Sequence, residues 1–219
     1  LTTISHCTPP VDVLPSVGAR LQDGASWVQV FARAHLPTRW GHFEIFVCRS
    51  SQDDKEHLAL VRGAVQGAVN LPVRLHSECL TGDTLGSLRC DCRDQLEMTM
   101  QTMGQGDAGM LLYMRQEGRG IGLGQKIRAY ALQQQGLDTV EANLHLGFDN
   151  DLRDYQVAAM MLKLFGVGSV VLATNNPRKI FALRSYGIEV AGRTPVVAVK
   201  NVHNSVYLAT KAHKSGHML

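Results

Sequence analysis

The chain has no apolar run long enough to cross a bilayer, no block of lysine or arginine, and no leader of the secretory type. The first absence excludes a helical membrane span. The second removes the footprint of a nucleic-acid binder, since the formal net charge of +3 is spread over 219 residues. Neither membrane nor nucleic acid is therefore expected as a partner, and the expected compartment is the cytoplasm. Cysteine is also scarce: there are five, an odd number with three clustered, which fits a reducing setting rather than a disulfide framework. Internal repeats and low-complexity segments are missing too. What remains is 45% apolar and 19% charged, enough for a globular core of ordinary size.

Residues 1–25 carry Pro9, Pro10, Pro15, Gly18 and Gly24 without periodicity, and read as a flexible N-terminal arm before a single domain over 26–219. Alternation at Val28, Val30 and Ala32, at Phe43, Ile45 and Val47, and at Leu58 and Leu60 predicts antiparallel strands. From residue 68 onward strands alternate with helices. Strands are expected over 71–75, 109–114 and 169–173, and helices over 94–103, 125–135, 155–165 and from Pro177 to the stop at Gly187. The fold class is α/β: a mixed sheet with antiparallel N-terminal strands and a βαβ-type portion flanked by helices.

Cys79, Cys90 and Cys92 lie in one short stretch, while Cys7 and Cys48 are far away. Three readings stand side by side. The trio is an open zinc site whose fourth position takes water, a closed structural site completed by His76, or a set of reduced core thiols. His76, Glu78 and Asp83 are available as partners or proton carriers for such a water.

Further along, the run Arg115-Gln-Glu-Gly-Arg-Gly-Ile-Gly-Leu-Gly124 joins a strand to a helix. It fits neither the Walker pattern nor the dinucleotide fingerprint, yet exposed backbone N–H groups at a helix start suit phosphate, and Arg115 and Arg119 add guanidinium forks. Arg153 precedes one helix, and Arg178 with Lys179 opens another, against the helix dipole unless an anion faces them. In open α/β sheets ligands bind beyond the carboxyl ends of the strands, where these loops are expected. Together they predict a hydrolytic site for a phosphorylated small molecule, a nucleotide in preference to a bare phosphate ester.

The runs His76-Ser-Glu-Cys-Leu-Thr-Gly-Asp, Ser87-x-Arg-Cys-Asp-Cys, Arg115-Gln-Glu-Gly-Arg-x-Ile-Gly-Leu, Lys126-Ile-Arg-Ala-Tyr-Ala-Leu-Gln and Thr174-Asn-Asn-Pro-x-Lys resemble GTP cyclohydrolase II of riboflavin biosynthesis, in its monofunctional form. The likeness runs from about His35 to the carboxyl end and takes in Asn201, Asn204, Tyr207, Leu208, Thr210, Lys211, Gly216 and His217. It implies that 26–219 is a catalytic domain that removes C8 of GTP as formate and the two outer phosphates as pyrophosphate. It further implies Zn2+ on Cys79, Cys90 and Cys92, Mg2+ with the triphosphate, and a homodimer. Contacts to GTP would come from Arg74, Leu75, His76, Ser77 and Glu78, with Gln95, Glu117, Gly118, Arg119, Thr139, Thr174 and Lys179. Asp151 would accept a proton, Arg153 would attack or electrostatically stabilise the α-phosphorus, and Tyr130 would steer ring opening. The chain departs from the family at Arg93-Asp94, where glycine usually follows the last cysteine, which implies a stiffer, more charged metal loop. Two rivals accompany this reading: a relative that stops at the formamide, and a nucleotide-binding protein without turnover.

Overall fold

The computed structural model describes residues 14–149, 151–198, 201–205, 210, 216 and 218. Strands β1 (Arg20–Asp23), β2 (Ser26–Thr38), β3 (Gly41–Ser50) and β4 (His57–Arg62) form an antiparallel ladder. Strands β5 (Leu71–Ser77), β6 (Gly109–Met114), β7 (Val170–Ala173) and β8 (Val190–Thr194) pair in parallel, and β6 joins the two halves by running antiparallel to β4. The sheet order is β1-β2-β3-β4-β6-β5-β7-β8. Helices α1 (Cys92–Gln105), α2 (Leu123–Gln133), α3 (Thr139–His145), α4 (Gln156–Leu164) and α5 (Pro177–Ser185) complete it.

Both faces of the sheet are covered, so its central strands lose the simple inside–outside alternation. The main core joins Val28, Val30, Phe46, Ala59, Val61, Met110 and Leu112 of the sheet to the apolar helix α4. A second cluster on the other face packs Phe43, Leu60 and Leu111 against Met100 and Met103 of α1. The alternation expected from Phe43, Ile45 and Val47 and from Leu58 and Leu60 thus marks the α1 side. The larger core is built by the intervening residues Phe46, Cys48, Ala59 and Val61.

The loose arm expected over 1–25 ends earlier than that. Arg20–Asp23 pairs with β2, and Arg20 lies over the Trp27 ring at 4.4 Å. Residues 1–13 lie outside the described residues, as do Asn150 and the tail positions Tyr207, Leu208, Lys211 and His217. Two elements come in addition to the expected ones: α3, opened by a capping box between Asp138 and Glu141, and β8 at the sheet edge.

The arrangement that positions the site is the β6-β5-β7 trio. β5 lies between two parallel neighbours; its connection to β6 passes through α1, and the path from β6 to β7 ends in α4 on the opposite face. The chain therefore changes direction of winding at β5, and the carboxyl ends of β5, β6 and β7 open onto one edge.

Phe165 just after α4 meets Phe46 edge-on, with ring centroids 4.9 Å apart and both rings fully buried. Phe165→Ala is expected to cost about 3–5 kcal/mol of unfolding free energy. Urea denaturation measures it; a loss below about 1 kcal/mol would contradict this packing.

Candidate active site

Period-two alternation in β5 sends Arg74 and His76 to the same side of the strand and Leu75 to the other. The Leu75 side chain is buried in the main core, and its carbonyl oxygen accepts from Lys179 Nζ at 2.7 Å. Beyond Ser77 the chain turns at Cys79 into one wide helical turn, Leu80–Thr84, and returns through Cys90 to Cys92, the first residue of α1. The three Sγ atoms lie within 4.8 Å of one another, and those of Cys79 and Cys90 are 3.7 Å apart. A tetrahedral zinc with Zn–S bonds of about 2.3 Å requires sulfurs about 3.8 Å apart, so the Cys79–Cys90 separation fits zinc and Cys92 lies close enough to share the ion.

Two features hold the thiols there. Gly82 leaves the room they occupy: a Cβ at this position would stand 2.8 Å from Cys90 Sγ and 3.1 Å from Cys79 Sγ. Asp83, almost fully buried, accepts from His76 Nε2 at 3.0 Å, from Tyr113 Oη at 2.8 Å and from the backbone N–H of Cys79 at 3.0 Å. The His76 and Tyr113 rings are stacked, with centroids 5.4 Å apart. Burial pushes the His76 pKa down against the pull of Asp83, so the imidazole is neutral. With Nε2–H given to the carboxylate, Nδ1 is left as an acceptor, and it has no partner among the described residues. His76 therefore orients the cysteine loop through Asp83, and its Nε2 is not turned to the sulfurs.

Hydrogen bonds from Cys90 and Cys92 pull the Cys79 thiol far below its usual range; burial opposes this and Lys126 adds to it. Cys90, donating to Cys79, is pushed up to about 11. Lys126 Nζ lies 3.1 Å from Cys79 Sγ and 2.8 Å from Glu117 Oε1. Burial works against its charge, but Glu117 and Cys79 together raise its pKa, so it stays an ammonium.

The turn after β6 is a short 3-10 segment, Glu117–Gly120, in which Gly118 and Arg119 adopt left-handed φ of 63° and 60°. Glycine meets this freely at 118, whereas Arg119 pays about 1–2 kcal/mol for it, a local strain typical of ligand-binding turns. Glu117 is a clasp: its carboxylate accepts from the N–H groups of Leu80 and Gly118 and from Lys126. Arg115 turns away to pair with Glu78 at 2.9 Å.

These loops surround an open cleft. It is lined by the three cysteines and by Arg74, His76, Ser77, Glu78 and Gln95. Glu117, Gly118, Arg119, Tyr130, Thr139 and Arg153 close another side, and Thr174 and Lys179 a third. Asp151 does not line it; it grips Arg153 from behind through Nε at 2.8 Å and Nη2 at 2.7 Å, which holds its carboxyl below the usual range despite burial. Arg153 Nη1 reaches Ser77 Oγ at 3.4 Å. Arg74 donates to Gln95 and to the Ala173 carbonyl oxygen, locking β5 to α1 and β7. Arg89, Gln116, Lys126, Asn143, Asn175 and Asn176 also line the cleft and are additional to the expected set. Arg89 stacks over the Tyr130 ring at 4.9 Å. Arg93 is committed to Glu97 on α1, 3.0 Å away, so the departure from glycine adds a helix ion pair rather than a charge at the sulfurs.

The fold and site together define an α/β protein with convergent thiols at one end of an anion-receptive cleft. Residues 29–195 match the family model described as GTP cyclohydrolase II, and the chain belongs to that family. It is similar to GTP cyclohydrolase-2 of Tolumonas auensis, at 55% identity over 89% of this chain and 98% of the relative. The likeness to GTP cyclohydrolase-2 of Picrophilus torridus is 49% over 87% and 99% of the two chains. The riboflavin biosynthesis protein RibBA of Endomicrobium trichonymphae is 47% identical over 88% of this chain and 48% of its own length.

Gly82→Ala is expected to drive the sulfurs apart and weaken zinc binding by about tenfold or more. Competition with a chromophoric chelator measures this; unchanged affinity in a folded variant would contradict the crowding.

Proposed function

We infer that the chain hydrolyses GTP, opening the imidazole ring of guanine and releasing C8 as formate and the outer phosphates as pyrophosphate, to leave a diaminopyrimidine ribosyl phosphate for riboflavin biosynthesis. The observation that carries this is the set of three convergent thiols, close enough to share one ion, inside a cleft also lined by Arg74, Arg119, Arg153 and Lys179. Cys79, Cys90 and Cys92 would hold zinc, which would supply Lewis acidity that lowers the pKa of a water toward about 7. Everything else in the proposal is done by side chains.

The β5 end, Arg74 to Ser77 with Glu78, and the Glu117–Gly120 turn receive the nucleoside, aided by Gln95 and Thr139. Arg119, Arg153 and Lys179, with Thr174, receive the polyphosphate, and Mg2+ bound with it would supply further neutralisation of its oxygens. Tyr130, held between Arg89 and Lys126, steers protons during ring opening. Asp151 accepts a proton in the family-based reading. Its double hydrogen bond to Arg153 also keeps that guanidinium charged, which favours an electrostatic role at the α-phosphorus over nucleophilic attack. A homodimer in the cytoplasm completes the proposal; the dimer rests on family likeness, and the compartment on the need to keep thiolates reduced. Among the described residues no helix is long and apolar enough to cross a membrane.

Product analysis with GTP and magnesium separates this function from its rivals: full turnover yields formate, pyrophosphate and the pyrimidine together. Pyrophosphate without formate would point to a chain that stops at the formamide, and no product would leave a binding protein. Cys90→Ser is expected to lose zinc and cut formate release by about a hundredfold or more while the chain stays folded. Zinc lost with formate release intact would contradict the role given to the metal. Arg153→Lys keeps the charge and is expected to retain pyrophosphate release to within about tenfold, because a point charge can still stabilise the phosphate. Complete loss would return the nucleophilic role to the guanidinium.

A further inference from the structure

Lys126 lies in the first turn of α2, where a cation works against the helix dipole, and none of the expected roles includes it. Its side chain is only 11% exposed. A buried ammonium is tolerated when its donors are satisfied, and here two strong acceptors meet it: Glu117 Oε1 at 2.8 Å and Cys79 Sγ at 3.1 Å. The second contact is the unusual one. Three thiolates around a dication leave one surplus negative charge, and Lys126 places a cation within hydrogen-bond distance of it.

Glu117 extends the contact. The same carboxylate that receives Lys126 also receives the backbone N–H of Leu80, next to Cys79, and that of Gly118 in the turn that lines the cleft. Sulfur, ammonium, carboxylate and glycine turn thus form one continuous hydrogen-bonded unit. A hydrogen bond to a coordinated thiolate draws electron density from sulfur and weakens its donation to the metal, which outer partners of metal ligands are known to do.

We propose that Lys126 is a positioning residue for the metal centre: by donating to Cys79 it lowers the electron donation of one sulfur ligand and fixes the sulfur cluster to the Glu117–Gly118 turn. The proposal rests on the zinc reading above and deepens it, because it names the group that sets how strongly this metal polarises its water. A shift of Gly118 when a ligand enters would reach the Cys79 sulfur through three hydrogen bonds, so seating of the substrate and donor strength at the sulfur are linked.

The test replaces zinc with Co2+, whose sulfur-to-metal charge-transfer absorption reads the sulfur directly without turnover. In Lys126→Met the three cysteines remain and cobalt is expected to bind, with the charge-transfer band moved to longer wavelength because the sulfur electrons are no longer held by the ammonium. The kcat for formate release is expected to fall by about ten- to a hundredfold, with KM for GTP changed by less than about threefold. Lys126→Arg, which can still donate to sulfur, is expected to restore the band toward its original position. Glu117→Gln weakens the support of the ammonium but leaves Lys126 beside Cys79, and is expected to move the band less than Lys126→Met does, whereas general loosening of the loop would move it equally in both variants. A band unchanged in Lys126→Met would overturn the proposal, whatever happens to activity. If Lys126→Met does not hold cobalt, Lys126→Gln is read by the same criterion. Absence of any sulfur-to-cobalt band in the unmutated chain would instead overturn the metal reading itself.

Discussion

Three sulfur atoms can stay in mutual contact only if something else fixes the chain that carries them, and in this fold the fixing group is the buried carboxylate of Asp83. It draws in a histidine from β5, a tyrosine from β6 and the backbone N–H of the first cysteine. A buried carboxylate is costly unless its lone pairs are satisfied, so these three donors and the charge hold one another in place. The consequence is positional. Cys79 is locked to the carboxyl ends of two parallel strands, and Cys90 and Cys92 follow because α1 begins at the last cysteine and packs on the sheet through Met100 and Met103.

The far walls of the cleft depend on the same economy of buried charge. Lys179 is held by the Leu75 carbonyl oxygen, Arg74 by Gln95 and the Ala173 carbonyl oxygen, and Arg153 by Asp151. Each cation is fastened from behind by protein acceptors, so it meets a ligand already oriented. Such preorganisation is what a polyphosphate site needs, because little reorganisation then remains to be done when the ligand arrives. On the metal side the Glu117 clasp serves a like purpose, joining the residue after Cys79 to the glycine turn after β6.

Much of this is legible in the sequence where neighbours in the chain are also neighbours in space. The cysteine stretch, the glycine turn and the Thr174-Asn175-Asn176 loop are local, so their residue types disclose their chemistry directly. Strand β6 is equally plain, being a short apolar run between glycines and a polar turn. The pattern fails where tertiary contact decides. Lys126 meets Cys79 across 47 positions, and its place in the first turn of its helix signals an anion opposite it without saying which. Helix α3 has seven residues and no apolar stripe, so only the Asp138/Glu141 capping box announces it. Strand β1 and strand β8 gain their order from pairing, β8 despite Gly192 and Arg193 in its short run. In β3 and β4 the alternation is real but two-sided, since helices cover both faces, and a one-faced reading selects the smaller core. The burial of the Leu75 side chain and the ion pair between Asp151 and Arg153 are likewise set by tertiary packing that no local pattern announces.

The central claim is that the sulfur trio holds a metal and leaves one position to water. X-ray absorption at the zinc edge of the metal-loaded chain tests it most directly. Three sulfurs at about 2.3 Å with one light oxygen-type ligand at about 2.0 Å are predicted. A fourth sulfur, or the scattering signature of a bound imidazole, would mean a closed site and contradict the account.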